Sequence, residues 1–209
     1  MKRGIFITFE GGDGSGKSTQ IDFLREYFEN KKIDYIFTRE PGGTPISEKI
    51  RGIILDKDNV DMAPMTEALL YAASRAQHVK QLIAPALERG KVVICDRFVD
   101  SSIAYQGYGR GLGDSVGVIN SYAIGEYMPD VTFFLDLPAE VGLGRIKGCR
   151  DRIESEEITF HRDVARGYDE IKEKYKGRII TLDALKSPEE IRKEIIVHVD
   201  KILGEISFG

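Results

Sequence analysis

Gly11-Gly12-Asp13-Gly14-Ser15-Gly16-Lys17-Ser18-Thr19 lies between an apolar run, Ile5-Phe6-Ile7-Thr8-Phe9, and a helical pattern in which Ile21, Leu24 and Phe28 recur at three- and four-residue steps. It contains the pattern G-x-x-x-x-G-K-[ST] in the strand-to-helix setting that gives the pattern its mechanism. Glycines let successive backbone N–H groups converge on an anion, and the helix start adds its partial positive charge. Lys17 brings a full charge to the outer phosphates of a nucleotide, and the Ser18 hydroxyl can ligate Mg²⁺. Gly11, Gly12, Asp13, Gly14, Ser15, Gly16, Lys17, Ser18 and Thr19 are therefore the expected ATP-binding residues. A glycine-rich turn with an incidental lysine would share the composition but not the full spacing in this context.

Outward from this loop the chain alternates strand-like and helix-like segments without repeats. Tyr35-Ile36-Phe37-Thr38 and Val92-Val93-Ile94-Cys95 read as further strands, as do 131–135 and 178–182. A strongly helical stretch, 66–89, carries Leu69, Ala72, Ala76, Val79, Ile83 and Leu87 on one stripe, with Pro85 as an expected kink. Pro188-Glu189-Glu190 places proline and acids where a last helix starts. Strands separated by helices predict a three-layer α/β/α fold of the P-loop NTPase type, a five-stranded parallel sheet covered on both faces. Ligands of such sheets bind beyond the carboxyl ends of the strands. The length of 209 residues suits one domain, 1–209.

A net charge of −4 argues against a broad basic surface for nucleic acid, so an anionic ligand must be held by local groups. Cys95 and Cys149 have neither metal-ligand nor CxxC spacing. The apolar stretch behind Met1-Lys2-Arg3-Gly4 is too short for a signal peptide, and no run reaches membrane-spanning length. No membrane association is expected, and the setting is expected to be cytoplasmic. Asp96 directly follows the Val92–Cys95 run, where a carboxylate can reach the metal held by Ser18. Its neighbour Arg97 suits phosphate at the same strand end.

The segment Asp96-Arg97-Phe98-Val99-Asp100-Ser101-Ser102-Ile103-Ala104-Tyr105-Gln106-Gly107 resembles the signature of the thymidylate kinase family. Phe9-Glu10-Gly11-Gly12-Asp13, Thr38-Arg39-Glu40-Pro41-Gly42-Gly43-Thr44, Tyr71-Ala72-Ala73-Ser74-Arg75 and Phe134-Leu135-Asp136 agree with that family in order and approximate spacing. The resemblance implies phosphoryl transfer from ATP to dTMP with Mg²⁺, for dTTP synthesis, in a homodimer. It assigns Arg39 to the acceptor's phosphate, which the guanidinium fork suits better than an ammonium. Tyr71 and Arg75, at i and i+4 of one helix, would stack on thymine and donate to its exocyclic oxygen. Ser102 and Gln106 would be further base or sugar contacts, and Tyr105 would pack on the deoxyribose. Asp13 would orient the acceptor, with Lys17 and Arg97 completing the catalytic set. A tyrosine at Tyr168 lies near the acceptor base in relatives; packing is the competing reading.

Some family members carry a basic residue at the position of Gly14, and others place catalytic arginines in a lid. Arg145-Ile146-Lys147-Gly148-Cys149-Arg150-Asp151-Arg152 fits the second group, giving a lid at about 145–157 with Gly148 as hinge. Arg150 and Arg152 are the candidates for the transferring phosphoryl, and Arg145 for the adenine. A kinase for dUMP or a purine deoxynucleotide is the nearest alternative, and a P-loop ATPase switch a more distant one. One methyl group separates thymine from uracil by roughly 10–200-fold at most.

Overall fold

The computed structural model describes residues 3–146 and 151–207. Its elements run β1 (Phe6–Glu10), α1 (Lys17–Lys31), β2 (Tyr35–Arg39), α2 (Pro45–Leu55), α3 (Pro64–His78), α4 (Ala84–Glu88), β3 (Val92–Asp96), α5 (Val99–Ser102), α6 (Ser115–Ile124), β4 (Val131–Asp136), α7 (Ala139–Arg145), α8 (Ile158–Lys174), β5 (Ile179–Asp183) and α9 (Pro188–Ser207). The five strands form one parallel sheet in the order β2-β3-β1-β4-β5, as the apolar runs predicted.

Alternation along β1 separates two cores. Ile7 and Phe9 pack with Ile21, Leu24 and Phe28 of α1 and with Ile191, Ile195 and Val199 of α9. Phe6 faces the other way, toward Val79, Ile83, Leu87 and Phe98. Strands buried on both faces read as continuous apolar runs for this reason. A third cluster joins Tyr105 to Phe134, Phe160, Val164 and Tyr168, fastening α8 over the signature segment.

The helical stretch 66–89 is not one kinked α-helix. α3 ends at His78, Val79–Ile83 forms a π-helical turn, and α4 follows. Pro85 has no N–H, and its ring would press on the carbonyl one α-turn earlier. The wider turn, closed by Ala84 N–H to the Val79 carbonyl, accommodates both facts.

Phe133 on β4 is wholly buried and lies with its ring centroid 5.4 Å from that of Phe9. Phe133→Ala should lower stability by about 3–5 kcal/mol, read in urea as a lower midpoint at an unchanged slope.

Candidate active site

β1 and β3 pair in parallel with Phe9 opposite Asp96, so the loop after β1 and the turn after β3 emerge side by side. The glycine loop curls so that Lys17 Nζ donates to the carbonyls of Gly11 (3.1 Å) and Gly12 (2.9 Å). Gly14 has φ +73°, and a Cβ there would stand 2.2 Å from the Gly142 carbonyl oxygen in α7. Position 14 therefore has no room for a basic side chain, in keeping with a cation supplied from elsewhere. Ser15 is buried within the loop, whereas Gly16, Ser18 and Thr19 are exposed at the start of α1.

Arg97 follows β3 with φ 67°, a left-handed backbone that an arginine adopts only when held there. Its N–H donates to the Phe9 carbonyl at 2.9 Å, and its guanidinium bonds Gly11 O at 2.9 Å and Asp13 Oδ1 at 2.5 Å. The second Asp13 oxygen accepts from the Tyr105 hydroxyl at 3.0 Å. Burial alone would raise the Asp13 carboxyl, but Arg97 and Lys17 outweigh it and hold it below the usual range. Behind this pair, buried Glu10 accepts from Phe98 N (2.7 Å), Ser101 Oγ (2.6 Å) and the Tyr168 hydroxyl (2.8 Å). Burial, with Asp100 nearby, pushes Glu10 up to about 7.

A cleft of about 290 Å³ opens at these strand ends. Lys17, Ser18, Asp13, Asp96 and Arg97 line one part of it, and Arg39, Tyr71, Arg75, Tyr105 and Gln106 another. Arg39 donates to Pro41 O at 3.0 Å and pairs with Glu48 at 3.1 Å. Arg75 is 1% exposed, with four of its N–H donors engaged by Glu40, Ser102, Asn120 and the Phe98 carbonyl. Ser102 is buried beneath it rather than lining the cleft. Tyr168 likewise stands behind the cleft, tilted against Phe134 at 4.9 Å. Arg145 is exposed at the end of α7, away from the cleft lining.

The described part of the expected lid is oriented differently from the sequence reading. Asp151, Ile153 and Glu154 line the cleft, whereas Arg152 turns onto Glu67 Oε2 (2.7 Å) and the Ile54 carbonyl (2.8 Å). Asp151 Oδ1 accepts from the N–H groups of Ile153 and Glu154, which fixes that turn. Arg150 and the hinge candidate Gly148 lie outside the described residues.

Arg51 and Glu67 carried no local signal, and Glu40, though inside a stretch shared with the family, was given no role of its own. Arg51 of α2 lines the cleft and donates to Pro41 O at 2.8 Å, beside Arg39. Burial, then the charge of Arg39, lowers its guanidinium below the usual value. Glu40 anchors Arg75 and His78 from below, and Glu67 joins Gln106, Arg110 and Arg152. Only their place in a folded sheet makes them part of the site.

Asp96 Oδ1 is buried without a hydrogen-bond partner, and Asp96 shares the cleft with Ser18. Such an oxygen is costly to bury alone. A hard divalent cation would satisfy it, since Mg²⁺ takes one or two protein oxygens and completes its shell with phosphate and water. These residues fit such an ion.

Strand, glycine loop and helix N-terminus, with a carboxylate on the neighbouring strand and a second group of guanidiniums across the cleft, define a P-loop phosphotransferase. A family model described as thymidylate kinase matches residues 9–195. Thymidylate kinases of Halothermothrix orenii and Clostridium novyi are 55% and 50% identical over 199 and 200 residues, covering 92% and 93% of this chain and 95% and 98% of theirs. The crystal structure of thymidylate kinase from Ehrlichia chaffeensis superposes with a TM-score of 0.77 at 32% identity, covering 94% of this chain and 99% of that one. The chain belongs to the thymidylate kinase family.

Burial, with Arg97 adding to it, pushes Lys17 down to about 8. The ammonium is charged below that value and lost above it, so the lysine's contribution to nucleoside triphosphate affinity should be complete below pH 8. It should weaken by up to about tenfold per pH unit above 8, in calorimetric titrations of the free protein. Lys17→Arg, whose charge does not titrate there, should bind more weakly but without this pH dependence.

Proposed function

We propose that the cleft carries phosphoryl transfer from ATP to the 5′-phosphate of dTMP, giving ADP and dTDP for dTTP synthesis. The observation that supports this best is the pairing of two phosphate-binding regions in one cleft, Lys17 with the glycine loop and Arg39 with Arg51. An ATPase switch has no use for the second.

In this reading Lys17 and the loop amides hold the donor phosphates, and Arg39, joined by Arg51, holds the phosphate of the acceptor. Ser18 and Asp96 would hold Mg²⁺, which supplies positive charge to the phosphate oxygens during transfer. Tyr71 stacks on thymine, Arg75 donates to its exocyclic oxygen and Tyr105 packs against the deoxyribose. Ser102 supports Arg75 from behind, and Tyr168 supports the pocket through Glu10. Asp13 acts as an orienting group through Tyr105 and Arg97, not as a base. The attacking phosphate oxygen is largely ionised at neutral pH, with a second pKa of about 6, so positioning and charge neutralisation are the task.

In the same reading a lid at 145–157 would bring Arg150 to the phosphoryl, Arg152 would join it only by leaving Glu67, and Arg145 would lie beside the adenine. The chain works as a homodimer through the face formed by α3 and α6, where Leu69, Val118 and Tyr122 are 50%, 58% and 86% exposed. No described helix is long and apolar enough to cross a membrane, and a cytoplasmic setting is proposed.

ADP release with Mg²⁺ and ATP should be strong with dTMP, weaker with dUMP and slight with purine deoxynucleotides. Release that is equal without any acceptor would overturn the phosphotransferase reading, and a purine preference would overturn the base pocket.

A further inference from the structure

Glu67, Tyr71 and Arg75 stand at i, i+4 and i+8 of α3 and so share one face. They meet two residues of the signature segment that are also four apart. Arg75 Nη1 bonds Ser102 Oγ at 2.9 Å, and Gln106 Nε2 donates to Glu67 Oε1 at 2.9 Å. Gln106 is 1% exposed and lines the cleft, and its other amide atom, Oε1, is buried with no partner.

Shape alone does not fix which way an amide points, but chemistry fixes it here. An ionised carboxylate only accepts, so the amide group facing Glu67 must be the NH₂. Glu67 is ionised whichever way the amide points: burial raises its carboxyl, yet the hydrogen bonds and charge of Arg110, with a hydrogen bond from Arg152, hold it low. Arg110 and Arg152 both reach Glu67 Oε2, at 3.0 and 2.7 Å.

We infer that Glu67 is a positioning residue for the choice of acceptor base, locking the Gln106 amide so that the pocket offers a hydrogen-bond acceptor next to the donor on Arg75. The inference rests on the reading of Arg75 as the partner of the exocyclic oxygen. Of its five N–H donors, four are engaged within the protein, which leaves one on Nη2. With that donor on O4, the Gln106 oxygen takes the N3 hydrogen of thymine or uracil. Cytosine inverts both positions, with an amino donor at C4 and a bare N3. A site whose buried polar atoms are left unpaired rejects an analogue far more strongly than a site short of one methyl group.

The test compares kcat/KM for dUMP and dCMP, which share size and differ only in these two groups. In Glu67→Gln the neighbouring amide can accept or donate, so the lock on Gln106 is lost. The dUMP:dCMP ratio should fall by about tenfold or more. Any effect through Arg152 on the transfer step is common to both acceptors and cancels in the ratio. In a Gln106→Leu background, Glu67→Gln should not change the ratio further. Arg110→Gln, which removes an ion pair but keeps the Glu67–Gln106 bond, should leave the ratio unmoved. Should Glu67→Gln not fold, Glu67→Gln with Arg110→Gln removes the opposing buried charge as well and is read the same way. The inference is overturned if Glu67→Gln slows dUMP and dCMP equally, if Arg110→Gln shifts the ratio as much, or if the shift persists without Gln106. Wild-type protein that used neither dTMP nor dUMP would instead overturn the acceptor reading itself.

Discussion

The register of β1 against β3 sets the whole site. Phe9 opposite Asp96 brings the glycine loop and the Asp96-Arg97 turn out of the sheet at one level. Arg97 then closes the gap with its own N–H on the Phe9 carbonyl, in a left-handed turn. Glu10, the last residue of β1, captures Phe98 N and Ser101 from the far side of the same turn. A slip of β1 by one residue would turn Glu10 to the opposite face of the sheet and bring the glycine loop out of level with Asp96. The metal-binding candidate, the orienting pair Asp13–Arg97 and the start of the acceptor pocket would be lost together.

α3 serves as the second fixed edge. Its wide π-turn before Pro85 lets the helix end against the sheet core through Val79 and Ile83 while Glu67, Tyr71 and Arg75 face the signature segment. Glu40 binds both Arg75 and His78 across the gap, at 2.7 and 2.9 Å. A buried ion pair adds little net stability, but removing one partner leaves a charge stranded, so such a pair fixes geometry more than it strengthens the fold.

What could be read from the chain and what could not divide along physical lines. The glycine loop was legible because backbone geometry and phosphate charge demand particular residues at fixed spacing. The central strands were legible because burial on both faces favours apolar runs, and the edge strands β2 and β5, which are partly exposed, because β-rich residues recur there. Arg51 was not, because an arginine on an amphipathic helix looks the same whether it meets solvent or a cleft. Gln106 was legible as a contact through the family resemblance, but its partner Glu67 lies 39 residues away in sequence, with no spacing rule to join them. Arg152 read as a phosphate ligand through the lid pattern of the family, while its bond to Glu67 depends on how that turn folds. The π-turn escaped notice because the four-residue steps from Val79 to Ile83 and Leu87 suit an α-helix as well.

The arginines and lysine of the cleft fall into two kinds according to what holds them. Arg75 is bound by the buried carboxylate of Glu40 and Arg97 by the part-buried carboxylate of Asp13, which balance their charge and fix their direction. Lys17 and Arg51 are held by backbone carbonyls, which orient a cation without neutralising it. Arg39 belongs with the second kind, since its partner Glu48 is 42% exposed and a pair that open to water is weak. Burial, with a neighbouring cation adding to it, pushes both Lys17 and Arg51 down against the pull of nearby carboxylates, Asp96, Asp13 and Glu10 at Lys17 and Glu48 and Asp151 at Arg51. Anionic phosphate is the ligand that relieves both effects at once. In a protein whose net charge is −4, a phosphate entering the cleft would be held by these local cations and not by the overall field.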